Sequence, residues 1–265
     1  MKQFVILVSM LCALLPLQRL TAGESGWRLG AVPGEQLTYR ISWLGVPSAD
    51  ASLHWERGTD RHYTLQATLS TIGAARLLRA LDETLKSEGE RHDSTFAAHR
   101  SVKDQHRGDQ VKWTSFWFDR EMRQVERRHR SQQGKAEERV IIPVESDQVT
   151  DPLSALYAVR AWPELLSGRT LQRVVVDGEK SFCLTIHIGG SQQWQNGLGS
   201  FRAFPLQVAV ENSELFRQRG PIHLLLSDDA RRIPLQIEAQ LAIGAVVAEL
   251  VGFDDGRGES RKLAE

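Results

Sequence analysis

The sequence predicts a mainly β protein: a strongly curved antiparallel sheet or open β-barrel (clam), with two short helices packed on the concave side. Three observations carry this. Apolar and polar residues alternate along most of the chain beyond residue 34, the period of half-buried strands. Gly, Pro and Asp-Gly breaks punctuate those runs at short intervals, as hairpin turns do. One stretch, Asp151–Trp162 (DPLSALYAVRAW), has a clear helix start yet is apolar on both sides, so it calls for a sheet wrapped around it. A concave face gives the helices a place to pack, which a flat sandwich does not.

The chain opens with a targeting segment. Lys2 supplies a positive start, Phe4 to Leu17 is an apolar run broken only by Ser9 and Pro16, and small residues follow at Thr21, Ala22 and Gly23. This is the layout of a cleaved secretory signal peptide over residues 1–23, which implies the periplasm. An uncleaved anchor is the alternative, but the run is short for a membrane span, and no later stretch approaches about 18 apolar residues. Cys12 lies inside the run behind bulky Leu11, so it does not read as a lipidation site. Loss of Lys2 and Arg19 with the signal leaves 31 basic against 33 acidic residues, a formal charge of −2. That balance argues against binding driven by nucleic-acid phosphate. Cys183 then remains alone, so no internal disulfide can form. Residues 24–265 hold no linker or repeat and read as a single β domain.

Leu37, Tyr39, Ile41 and Trp43 alternate with polar residues in a first strand, broken at Gly45 and Pro47. Leu53 and Trp55 mark its hairpin partner, and Tyr63, Leu65, Ala67 and Leu69 a third strand. Ala74, Leu77, Leu78, Leu81 and Leu85 follow helical spacing, which predicts a helix over 74–85 that plugs one end of the sheet or lids an apolar cavity. Residues 82–130 are polar and, past that helix, strand-like. Trp113, Ser115 and Trp117 fall on one face and Phe116 and Phe118 on the other, a strand covered on both sides or open on one for binding. Arg123–Arg130 (RQVERRHR) reads as a solvated edge strand, or alternatively as a polyanion-binding patch. Gln132–Glu138 is a polar loop, and Val140–Val144 a short strand leading to the helix at 151–162. There Asp151 is the N-cap, Pro152 takes the first helical position and Pro163 closes the end. Asp177-Gly178 joins two strands, Leu171–Val176 and Phe182–Ile188, in a tight hairpin. Gly189, Gly190, Gly197 and Gly199 frame a loop holding Trp194. Further strands follow at Phe204–Val210, Ile222–Leu226, Ile233–Ile243 and Val246–Val251, then a frayed tail after Gly252.

No catalytic motif is present: no G-x-S-x-G, H-E-x-x-H, phosphate loop or C-x-x-C. Cys183 and His187 share a strand face, but four residues place them roughly 13 Å apart, too far for a nucleophile and its base. The histidines show no ligand spacing, and Asp228-Asp229 and Asp254-Asp255 are explained as turn and tail residues, so neither metal nor cofactor is expected. Seven tryptophans are the one hint of a ligand. Most belong to the core of a large β domain. Trp117 and Trp194 are the candidate binding residues, Trp194 because it sits among glutamines between glycines.

Three blocks taken together resemble the DUF3108 family of exported bacterial proteins. They are Gly34-Glu35 with Leu37, Tyr39, Ile41, Trp43 and Gly45; DPLSALYAVR at 151–160; and LSDDARRIPLQIEAQLAIGAVVAEL at 226–250. The resemblance spans the mature chain and implies a β-rich clam or open barrel, distantly similar to lipoprotein-sorting carriers and capsule-export accessory proteins. It implies no catalytic residues, and fold similarity does not establish function. Two readings follow. The first is a non-enzymatic periplasmic binding or chaperone-like protein holding an apolar or amphiphilic envelope component: lipid, lipoprotein or glycan. The second is a protein-interaction module in envelope or exopolysaccharide assembly, with no small ligand, an exposed aromatic patch near Trp117 or Trp194, and no cavity. A hydrolase with a dispersed site is a third reading that no motif supports.

Overall fold

The computed structural model describes residues 30–56, 61–131, 136–146, 148–163, 165, 167–211, 220–241 and 243–263. The signal segment 1–23 and most of the loop after Ser131 lie outside the described residues. In chain order the elements are β1 (Gln36–Trp43), β2 (Val46–Trp55), β3 (His62–Thr71), α1 (Gly73–Leu78), β4 (Asp82–His92), β5 (Thr95–Arg107), β6 (Gln110–Asp119), β7 (Gln124–Ser131) and β8 (Glu138–Pro143). Then come α2 (Pro152–Arg160), β9 (Thr170–Asp177), β10 (Lys180–Ile188), β11 (Gln192–Asn196), β12 (Gly199–Glu211), β13 (Ile222–Ser227), β14 (Pro234–Gln240), β15 (Ala245–Asp254) and β16 (Ser260–Lys262).

All the strands belong to one antiparallel sheet. Its order is β8-β7-β6-β5-β4-β3-β2-β1-β15-β14-β13-β12-β10-β9, with β11 on β12 and β16 on β15. Hairpins make most of the neighbours; the β1–β15 pairing joins the N-terminal and C-terminal runs. The ladder does not close, because β8 and β9 are its two ends. Between them runs the segment after β8, where Thr150 makes a single parallel bridge to Val175. The Asp-Gly hairpin forms as predicted, with Gly178 at φ 66°, the left-handed backbone that a tight turn needs.

Helix α2 lies against the concave face, and all nine of its residues are buried. Its sequence explains its start: Asp151 Oδ1 accepts from the backbone N–H of Leu153 (2.9 Å) and of Ser154 (3.1 Å). Such a cap is worth about 1 kcal/mol. Leu37, Tyr39, Leu65, Leu85, Leu206, Leu224 and Leu250 from strands right around the sheet share one core with Leu153, Leu156 and Tyr157. A second, smaller core gathers Phe116, Phe118, Val125, Ile142 and Val176 where the two ends of the sheet approach.

Four expectations need correction. Helix α1 spans only Gly73–Leu78 and buries none of its residues, so it neither plugs nor lids the concave side. The rest of the expected helix is extended: Glu83, Leu85, Ser87 and Gly89 are buried in alternation along β4, and hydrogen bonding to β3 and β5 overrides the helical spacing of the leucines. The arginine-rich strand β7 is not an edge, since it pairs with β6 and β8. The glycine-framed loop contains β11, hairpinned to β12. The C-terminal tail returns as β16 on β15, with Phe253 buried beneath it.

Candidate functional site

Two polar clusters hold α2 in place. At its start, Asp151 Oδ2 accepts from Ser87 Oγ and Ser154 Oγ, both at 2.6 Å, and Tyr63 Oη lies 2.8 Å from Ser154 Oγ. Burial pushes the Asp151 carboxyl above its ordinary value, against the pull of those hydrogen bonds. At its end, Arg160 Nη1 and Nη2 donate to Glu35 Oε1 (2.7 Å) and Oε2 (2.5 Å), and Nε donates to the carbonyl of Arg232 (2.9 Å). Both side chains of this pair are buried. Removing one partner of such a pair typically costs about 3–5 kcal/mol, because the other charge is left alone. These clusters consist of groups that satisfy one another, the signature of structure rather than of a reacting site.

Among the described residues, the space beside α2 is small. A cavity beside α2, lined by Tyr39, Leu53, Leu153, Leu156, Ile237 and Ala248 among others, measures about 40 Å³. Pockets that enclose a small molecule run from roughly 300 Å³ upward. The protein's own helix takes the part of the concave face formed by β3, β4, β5 and β9.

The outer face is different. Thr84, Lys86 and Glu88 on β4 and Arg100, Val102 and Asp104 on β5 line an open groove of about 220 Å³. Trp117 stands at its edge, directly across from Arg100 in the β5–β6 register. The Arg100 guanidinium lies over the indole, 4.8 Å from its centroid, yet the residue remains 43% exposed. The row continues through Glu126 to Ile141 on β8. Glu126 accepts from Arg128 and Arg139, both at 2.6 Å, and these bonds hold its carboxyl below the usual range. The result is an aromatic and aliphatic strip set among charges of both signs. Its ion pairs are exposed, and each contributes ~0–1 kcal/mol, so they shape the surface more than they stabilise it.

Trp194 is placed otherwise. It lies on β11, half-buried, its ring 6.1 Å from that of Phe201 and packed against the main core. It and Trp117 are on strands that are not neighbours. Cys183 is only partly buried, and His187 lies within hydrogen-bond distance of Thr170 Oγ1 (3.0 Å) rather than of the cysteine. Asp229 accepts from the backbone of Arg231 and Arg232, and Asp255 from that of Arg257 and Glu259, which explains both acidic pairs structurally. Among the described residues, no group of three or more His, Cys, Asp or Glu is arranged to hold a metal ion. What sequence reasoning missed is the groove itself: Lys86, Glu88, Arg100 and Asp104 carry no motif, and only strand register lines them up on one face, with Glu88 and Arg100 in the row of Trp117.

A curled, unclosed antiparallel sheet around a buried helix defines the class: a β-barrel-like protein. The chain belongs to the DUF3108 family, described as a protein of unknown function, whose model matches residues 38–251. No curated protein matches it. Among solved structures it is similar to a β-barrel-like protein of domain of unknown function DUF1849 from Brucella abortus, at 10% identity and a TM-score of 0.54, over 84% of this chain and 98% of that one. It also aligns with the hypothetical protein CT021 from Chlamydia trachomatis at 9% identity and a TM-score of 0.38, covering 89% of this chain and 93% of that one. At these identities the first likeness speaks for the fold alone.

Proposed function

We propose that this protein is a non-enzymatic interaction module of the bacterial cell envelope, acting in the periplasm, whose partner binds the outer face of β4–β6. One observation carries the reading. Helix α2 is wholly buried against β3, β4, β5 and β9, while Trp117 stands exposed beside a charged groove of about 220 Å³. A tryptophan ringed by polar groups is the usual anchor of a protein interface.

Capture from envelope extract tests this, with wild type, Trp117→Ala and Trp194→Ala as bait. Wild type and Trp194→Ala should recover the same partner, and Trp117→Ala should lose it. Equal recovery by all three would remove the groove from consideration. The second reading, carriage of an amphiphilic envelope component, is favoured by a set of exposed leucines at one end of the barrel. Native mass spectrometry of gently purified protein separates the two. A mass matching the bare chain supports the interaction module, and near-stoichiometric lipid or glycan supports carriage.

A further inference from the structure

We propose that the end of the barrel that carries α1 docks on the surface of a bilayer containing anionic phospholipid. Eight large apolar side chains are exposed among the described residues, and five of them gather at this end: Leu44, Val46, Leu77, Leu78 and Ile243. Register brings them there. The β1–β2 turn lies beside the β14–β15 turn, with Leu44 N–H donating to the Ala245 carbonyl (3.1 Å) and Trp43 Nε1 to that of Ile243 (2.7 Å). Helix α1 joins the group through Ile72 N–H, which donates to the Ser48 carbonyl near the start of β2 (2.9 Å).

Leu77 and Leu78 are 91% and 86% exposed on a helix that buries nothing. That helix is not loose. Arg76 makes a two-pronged ion pair with Asp82 at the start of β4, at 2.9 and 3.0 Å. The leucines are thus held outward on a fixed support, an arrangement that favours insertion into an interface over burial in the fold.

The charge beside them selects the kind of surface. Arg79 follows α1 directly and is exposed, with no carboxylate partner among the described residues. Gly108 N–H donates to the Ala80 carbonyl (3.2 Å), which sets the β5–β6 turn against this segment and Arg107 near Arg79. Burial and the neighbouring Arg79 charge together lower the Arg107 pKa, while Glu83 opposes them. The acidic residues nearby are Asp82, which is engaged by Arg76, buried Glu83, and Asp109 at the turn. Two adjacent cations beside exposed leucines match a lipid phosphate above its acyl region. No helix of the described residues is long and apolar enough to cross a membrane.

This surface is separate from the groove beside Trp117, and docking stands whether or not that groove takes a partner. The test is flotation with vesicles of phosphatidylcholine alone, and of phosphatidylcholine with phosphatidylglycerol. Wild type and Trp117→Ala should float with the anionic vesicles, much less with the neutral ones, and less again in high salt. Arg79→Ala should bind about fivefold more weakly, as expected for one basic residue at an anionic surface. Leu77→Asp with Leu78→Asp should lose at least about tenfold, since two apolar side chains no longer enter the interface. Because α1 buries nothing, these variants should keep the wild-type urea midpoint; if the double variant unfolds, Arg79→Ala decides. Wild type that ignores anionic vesicles, or rim variants that bind them as wild type does, would overturn the proposal. So would sedimentation showing a dimer that the aspartates dissociate, which would assign the rim to a second copy.

Discussion

Asp151 shows how one side chain ties local and tertiary structure together. It caps α2 and also receives hydroxyls from Ser87 and Ser154, so one carboxylate fixes both the helix start and its contact with β4. Burial raises its pKa above the unfolded value. The folded state therefore holds this proton more tightly than the unfolded state does. Stability falls, on this residue's account, as pH rises from the ordinary carboxylate range, about pH 4, through the folded value. Asp151→Asn has no such titration. In urea denaturation followed from acid to neutral pH, wild type should lose ground steadily against the variant as pH rises. A difference that stays constant with pH would contradict the assignment.

Among the elements, β4 departs furthest from its local sequence signal. Leu85 continues the helical spacing of Leu77, Leu78 and Leu81, yet β4 forms the centre of the longest run of hairpins. Its register with β5 shifts between Glu88 and Gly89, and that shift explains the glycine. A Cβ at residue 89 would lie 2.2 Å from the Ala97 carbonyl oxygen and 2.6 Å from the Tyr63 hydroxyl. The tyrosine passes under the strand at this point to reach Ser154. Gly89→Ala should cost about 1–3 kcal/mol through overpacking, read as a lower urea midpoint, with Tyr63→Phe in the same background recovering part of it. No recovery would show that the backbone clash alone sets the cost.

Across the whole molecule, the question is what keeps an unclosed sheet curled. Beyond α2 and the Thr150 bridge, Lys103 on β5 reaches Asp177 on β9 at 2.8 Å, both largely buried. Arg127 on β7 reaches Glu179 in the β9–β10 turn at 3.6 Å. This also explains the arginine-rich strand: Arg127 points into the gap between the ends of the sheet, while Arg128 and Glu126 pair on the outer face. Lys103→Met should speed amide exchange in β9 by about tenfold or more, the loss expected for one partner of a mostly buried pair, while β1–β3 exchange as before. Uniform acceleration would mean that the pair supports global stability rather than closure.

By itself the sequence determined the β class, the hairpins signalled by Asp-Gly and strict alternation, the helix apolar on both sides with its Asp151 cap, and the family. Each depends on interactions within a few residues or on a period that any sheet would bury. The true length of α1, the inner position of β7, the return of β16 and the half-burial of Trp194 were settled by pairing between segments far apart in the chain. The candidate sites belong to the same category. Trp117 was legible as an aromatic on one face of a strand, but the groove near it and the apolar rim beside Arg79 and Arg107 exist only because register sets distant turns and strands side by side. Local free energies of a few tenths of a kcal/mol per residue choose a helix or a strand. The larger gain from burying a continuous core chooses which face of each is left in water.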